Sequence, residues 1–276
     1  MRRMIVLGVL LGCFCGGMVV AQTYEEMVLK SYDFSDEGDL LGAEACLKAA
    51  MQLEPTNPLN YTLLTNLGTL QRRQGKFEDA LFSYTAALSQ SPNNALILKQ
   101  RAELYTEMGE AQKAISDYTI LLAYEPKNEN ALYSRGLLYI HTGDYLSAQA
   151  DFELIVDTYS ETFLGRLGYA ILEKARKNYD ESEVIFNYLI DKYPDNLRVL
   201  EERAELFFLT GRNYRAMADI NRIFRLTPHP SPELYMLRGR VRLAQKEKAS
   251  AAVDFKKAQE LGYDKETIDR LLKEAF

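Results

Sequence analysis

Any chemistry in this chain would have to come from its histidines, cysteines and carboxylates, and few of them are arranged for it. The 276 residues hold two histidines, His141 and His229, and three cysteines, beside 39 Asp and Glu. The histidines stand far apart in the sequence. Neither belongs to an H-E-x-x-H run or a Cys/His pattern, the spacings that bring metal ligands together. The stretch from Gly68 to Gly75-Lys76 is the nearest approach to a phosphate loop, but its spacing is wrong and Phe77 replaces the required Ser or Thr. Asn60-Tyr61-Thr62 has the form of a glycosylation acceptor, which matters only in a eukaryotic secretory route. The many carboxylates read as solvated helix faces. No residue set here supports catalysis, so no enzyme activity, metal or cofactor is expected.

The elements that must carry these residues are helices. Hydrophobic residues make up 47% of the chain and charged residues 26%, enough apolar surface for a sizeable core. Strong helix formers dominate, and no long alternating Val/Ile/Thr run suggests a sheet. Prolines fall at a period: Pro55, Pro92, Pro126, Pro194 and Pro228 are separated by 37, 34, 68 and 34 residues, and Ser160 fills the gap. With repeats set at 24–57, 61–94, 95–128, 129–162, 163–196, 197–230 and 232–265, further columns align. Position eight is always small (Gly68, Ala102, Gly136 and their equivalents), as is position twenty (Ala80, Ala114, Ala148). Position twenty-four is large, as in Tyr84, Phe152 and Phe255. Position fifteen is Gly in five repeats and Lys in two, Lys177 and Lys246. Small residues let two antiparallel helices approach, the large one fills the space beside them, and the Gly ends the first helix in the left-handed conformation.

A period of 34 with these columns resembles the tetratricopeptide repeat, whose pattern runs W-x2-L-G-x2-Y, A-x3-F, P. The resemblance covers residues 24–265. It departs at position four, where no repeat has Trp and repeat five has Arg166. It implies an all-α fold, a right-handed superhelix of about seven helical hairpins. Residues 266–276 carry Ile268, Leu271, Leu272 and Ala275 on one face and read as a capping helix over the open end of the array. Such arrays are non-catalytic scaffolds that bind other proteins.

Position seven is Arg and position twenty-three Asp in the same four repeats: Arg101 with Asp117, Arg135 with Asp151, Arg203 with Asp219, and Arg238 with Asp254. Repeats one, two and five have neither. This joint change predicts contact within each hairpin, worth about 0–1 kcal/mol if partly exposed. In the family, first helices line a concave groove through positions two, five, nine and twelve. Carried over, repeats four and five offer Tyr133, Leu137, Ile140, Leu164, Leu167 and Ile171, an apolar stripe suited to a partner's helix or extended peptide. A different packing of repeat five would instead bury Leu167 and Ile171. Repeat six is acidic at the same positions, with Glu201 and Glu205. The family's clamp for acidic peptide tails, which needs Lys, Arg and Asn on this face, is not matched.

The N-terminus is a separate object. Arg2 and Arg3 precede an uncharged stretch over 4–20 and a small-residue cleavage pattern ending at Ala21, which predicts an export signal over 1–21. Alternatives are a retained anchor and a lipoprotein at Cys13, after Leu10-Leu11-Gly12. Cleavage removes two Arg from 33 basic residues and no acid, leaving 31 against 39, a net charge of −8 with Cys46 as the lone thiol. No later stretch is long enough to span a membrane, and this charge balance, without a Lys/Arg run, excludes a typical nucleic-acid binder. The expectation is a periplasmic or cell-envelope interaction scaffold. The alternative is a structural subunit of an outer-membrane or envelope assembly, possibly lipid-anchored. Neither partner nor oligomeric state is written in the sequence.

Overall fold

The computed structural model describes residues 23–160 and 162–275, so the expected export signal over 1–21, with Cys13, lies outside the described residues. Fifteen α-helices and no strand form among them. None is long and apolar enough to cross a membrane. The chain divides into two compact units, Met1–Ser91 and Pro92–Phe276.

The first unit contains two hairpins, α1 (Tyr24–Asp36) with α2 (Leu40–Leu53) and α3 (Asn60–Arg73) with α4 (Phe77–Gln90). A capping box between Thr23 and Glu26 starts α1 by satisfying orphan backbone donors. The core joins Tyr24 and Met27 of α1, Ala43, Leu47 and Ala50 of α2, and Leu63, Leu67 and Leu70 of α3. The α4 ring of Tyr84 lies on Gly68, where an added Cβ would come within 2.8 Å of it.

The second unit contains five hairpins and one further helix. The hairpins are α5 (Ala95–Glu107) with α6 (Ala111–Tyr124), α7 (Glu129–Thr142) with α8 (Tyr145–Thr158), α9 (Phe163–Ala175) with α10 (Tyr179–Lys192), α11 (Leu197–Leu209) with α12 (Asn213–Leu226), and α13 (Pro232–Ala244) with α14 (Lys248–Glu260). Helix α15 (Lys265–Ala275) follows. The second helix of each hairpin packs on the first helix of the next, and α15 packs on α14. The side chains of Asn94, Asn128, Thr162, Asn196 and Ser231 each accept a backbone N–H at the start of α5, α7, α9, α11 and α13, a cap worth about 1 kcal/mol apiece.

The turn inside each hairpin is left-handed. Gly143 has φ 81°, and the same conformation is held by Lys177 and Lys246 at 67° and 68°. The residue after the turn position donates its N–H back into the first helix, as Asp144 does to Tyr139 and Asn178 to Glu173, both at 2.8 Å. These are the bonds of a Schellman end, which require the left-handed residue between them. Position eight meets position twenty-four directly: a Cβ on Gly136 would come within 2.5 Å of the Phe152 ring, and one on Gly239 within 2.5 Å of Phe255.

All four Arg–Asp pairs form, and they are two-pronged. Arg135 donates Nε at 2.9 Å and Nη2 at 2.6 Å to the two oxygens of Asp151. Arg101, Arg203 and Arg238 meet Asp117, Asp219 and Asp254 in the same way. The four aspartates are buried, so the pairs are not the partly exposed contacts the sequence suggested. Burial pushes the Asp151 carboxyl up, against the pull of Arg135, so the pair matters chiefly because breaking it strands a charge.

Candidate functional site

The apolar stripe expected across repeats four and five is core at two of its six positions and partly buried at the other four. Leu167 and Ile171 are only 2% and 7% exposed, within the cluster that joins α9, α10, α11 and α13. Tyr133, Leu137 and Ile140 are partly buried and pack against that cluster. Leu164 is partly buried as well. The expectation of an exposed stripe is therefore corrected at Leu167 and Ile171: neither is open to a partner.

The cause lies in repeat five. Helix α9 carries Gly165 and Gly168, and it touches α7 directly as well as α8. A Cβ on Gly168 would come within 2.4 Å of Phe152, whose ring is thus held between Gly136 of its own hairpin and Gly168 of the next. Tyr169 and Ile185 occupy the places of the Arg and Asp found in four other repeats, and Tyr169 lies 6.1 Å from Phe152, ring to ring. Arg166, the misfit at position four, stacks over the Tyr188 ring at 4.7 Å. The close approach draws the inner residues of α9 inward.

What the inner side presents instead is a charged concavity of about 260 Å³ on α11 and α13. Arg198, Glu201, Glu202 and Glu205 come from α11, and Glu233, Met236, Leu237 and Arg240 from α13. Tyr263, in the turn before α15, closes one end. Lys174 of α9 is buried against it and binds both Glu202, at 2.5 Å, and Glu205. Arg198 binds the other oxygen of Glu202 at 2.7 Å and also the hydroxyl of Tyr133, which burial pushes up to about 12. Tyr133 thereby joins this network, while Leu137 and Ile140 stay at its apolar border.

The carboxylates are unequally compensated. Glu202 is held by two cations, Glu205 by one, and Arg240 lies over the Phe208 ring at 4.7 Å. Glu201 has no hydrogen-bonding partner among the described residues. Burial pushes its carboxyl up, Arg198 draws it down, and Glu202, Glu233 and Glu205 push it up further. Half-buried negative charge of this kind favours an incoming cation or hydrogen-bond donor, while Met236 and Leu237 beneath it are buried. No group of three or more His, Cys, Asp or Glu among the described residues could hold a metal ion. The sequence marked Glu201 and Glu205 as inner acids, but the part played by Lys174 could not be read there, because its partners lie 28 and 31 residues away.

Two tetratricopeptide repeat models match the chain, over residues 71–116 and 99–161. Comparison with curated proteins gives no match. A solved tetratricopeptide repeat protein from Parabacteroides merdae is 56% identical, with a TM-score of 0.86, covering 91% of this chain and 98% of its own. The type IV pilus biogenesis factor PilW is 18% identical, with a TM-score of 0.60, over 77% of this chain and 98% of its own. Pseudomonas aeruginosa pilF is 16% identical, with a TM-score of 0.54, over 78% and 97%. The last two likenesses are of fold alone. The 56% identity over nearly the whole of both chains makes this chain a member of the tetratricopeptide repeat family.

Proposed function

We propose that this protein is a non-catalytic interaction scaffold, exported to the periplasm or cell envelope, that holds a peptide segment of a partner protein on the inner side of its second unit. Its fold is a protein-interaction scaffold. The observation that carries the rest is the concavity on α11 and α13, where Glu201 stands half-buried without a hydrogen-bonding partner among the described residues. The bound segment would bring a Lys or Arg to Glu201 and Glu233 and lay apolar side chains toward the partly buried Tyr133 and Leu137. An exported location rests on the sequence of residues 1–21.

The test is photocrosslinking from positions 201 and 233 in cells, with N-terminal mass analysis of the same protein. A mature start at Gln22 and a shared crosslinked partner support an exported adaptor. Glu201→Lys with Glu233→Lys should lower capture of that partner at least about tenfold, the effect of lost charge complementarity. Unchanged capture by the double variant removes the site. A lipidated Cys13 with one stoichiometric partner would instead favour a fixed subunit of an envelope assembly.

A further inference from the structure

Over α8, α10, α12 and α14 the outer side of the second unit is divided by charge, beyond α6, whose one exposed charge is Lys113. In each hairpin the second helix turns repeat positions eighteen, twenty-two, twenty-five and twenty-nine outward. On α8 these include Leu146, Glu153 and Asp157, and on α10 Asp180, Val184 and Asp191, all exposed. On α12 they include Tyr214 and Arg225, and on α14 Val253 and Lys256, again exposed. Arg215, Lys248 and Lys257 add to the basic half. The one exposed acid on α12 or α14 is Glu260, and the one exposed base on α8 or α10 is Lys192. The contrast holds over longer stretches: residues 197–262 have 13 Lys and Arg against 8 Asp and Glu, net +5, while residues 92–196 have 10 against 17, net −7. Where the halves meet they already bind one another, Glu183 of α10 holding Arg212 and Arg215, and Asp195 holding Arg222 at 3.0 Å.

From this arrangement we infer that the outer face of α8, α10, α12 and α14 is a docking surface for a second copy of the same chain. The helices follow one another in order, two acidic and then two basic. A two-fold axis through the face between α10 and α12 sets α8 of one copy on α14 of the other, and α10 on α12. Every acidic helix then meets a basic one, which is the self-complementarity an isologous contact requires. Each half also carries large apolar groups that association would cover: Leu146 is 79% exposed and Tyr214 86%. The acidic complement that the basic half needs is thus present on the molecule itself. This inference is independent of the inner site, which lies on the first helices.

Sedimentation equilibrium of the full chain tests it. The wild type should dimerise at low ionic strength, with dissociation at least about tenfold stronger when the Debye length is cut from roughly 10 Å to 3 Å by salt. Arg225→Glu with Lys256→Glu and Lys257→Glu should be monomeric, and so should Glu153→Lys with Asp157→Lys and Asp191→Lys. Mixed in equal amounts, the two variants should form a heterodimer, because each now carries the charge the other lacks. These side chains lie on the surface, and far-UV circular dichroism shows whether each variant keeps its fold before mixing. A wild type monomeric at low salt overturns the inference, as does a dimer indifferent to salt and to both reversals. Binding of the monomer to anionic phospholipid vesicles through the basic half would also overturn it in favour of a lipid surface.

Discussion

At the residue scale, single atoms decide whether two helices can touch. Phe152 fills the space between Gly136 and Gly168, and a methyl group at either glycine would fall within 2.5 Å of its ring. Both glycines are helical, so alanine would raise helix propensity. The clash outweighs that gain, because a rigid ring cannot withdraw as a lysine can. Gly168→Ala should therefore lose about 1–3 kcal/mol through overpacking, read from the midpoint of urea unfolding. The turn lysines offer the opposite case. Lys177 and Lys246 hold φ values of 67° and 68° that favour glycine, and an L-residue there costs about 1–2 kcal/mol. Lys177→Gly and Lys246→Gly should each gain part of that strain back, about 1 kcal/mol, with no change in spectrum. At the Arg135–Asp151 pair, Arg135→Ala should cost about 3 kcal/mol by stranding a buried carboxylate. A double-mutant cycle with Asp151→Ala should return a coupling of about 1–3 kcal/mol. Additive losses would mean that the pair is only adjacency.

At the scale of elements, what could be read from the sequence is what repeats. The turn glycines, the small residue opposite the aromatic ring and the joint change of Arg and Asp are visible because seven hairpins solve one packing problem seven times. The apolar positions of α9 show the limit of such regularity, and of the two packings the sequence allowed, the one that buries Leu167 and Ile171 is found. Groove positions hold for regular repeats, but in this one Gly165 and Gly168 bring α9 close to α8, α9 also touches α7, and Leu167 and Ile171 are core. The signal was present in those two glycines, but its consequence depends on a ring in the preceding hairpin. Connections between hairpins were equally hard to see. Glu44 of α2 binds Lys48 at 2.6 Å, Gln74 at 3.1 Å and Lys76 at 3.2 Å, tying α2 to the turn between α3 and α4. Burial pushes this carboxyl up, but the three donors prevail and hold it at about 2, below its ordinary 4.5. The folded state therefore releases the proton more readily than the unfolded chain. The stabilisation is complete above about pH 4.5 and is lost as pH falls to about 2, at most about 3 kcal/mol. Glu44→Gln should flatten that part of the stability profile of the first unit in acid titration followed by circular dichroism.

At the scale of the whole molecule, an array of hairpins has a problem that a globular core does not have, since its last repeat has no successor. The long-range packing of the second unit runs almost wholly between neighbours, so stability is a sum of hairpin terms and interface terms. Helix α15 sits where another hairpin would continue the series. Ile268 is fully buried with Met236, Ala251, Phe255 and Ala258, while Leu271 and Leu272 pack at the edge. Asp269, Arg270 and Lys273 face solvent, so α15 offers no apolar side to a further repeat. A cap of this kind should matter locally. Removing residues 264–276 exposes the seat of Ile268 and forfeits about 3–5 kcal/mol, the burial of one complete and two partial aliphatic side chains. In a globular core such a loss would spread through the domain. In a nearest-neighbour array it should fray α13 and α14 first and leave α5 to α8 close to their original stability. Hydrogen exchange would then show the amides of α13 and α14 exchanging faster by two orders of magnitude or more, about 1.4 kcal/mol for each factor of ten. Protection in α5 to α8 should hold. Equal acceleration in all eleven helices of the unit, less the deleted one, would mean that the unit unfolds as a single cooperative body. Because Tyr263 and α13 also border the inner concavity, the local outcome carries a functional corollary: loss of the cap should weaken partner capture there before the protein as a whole unfolds.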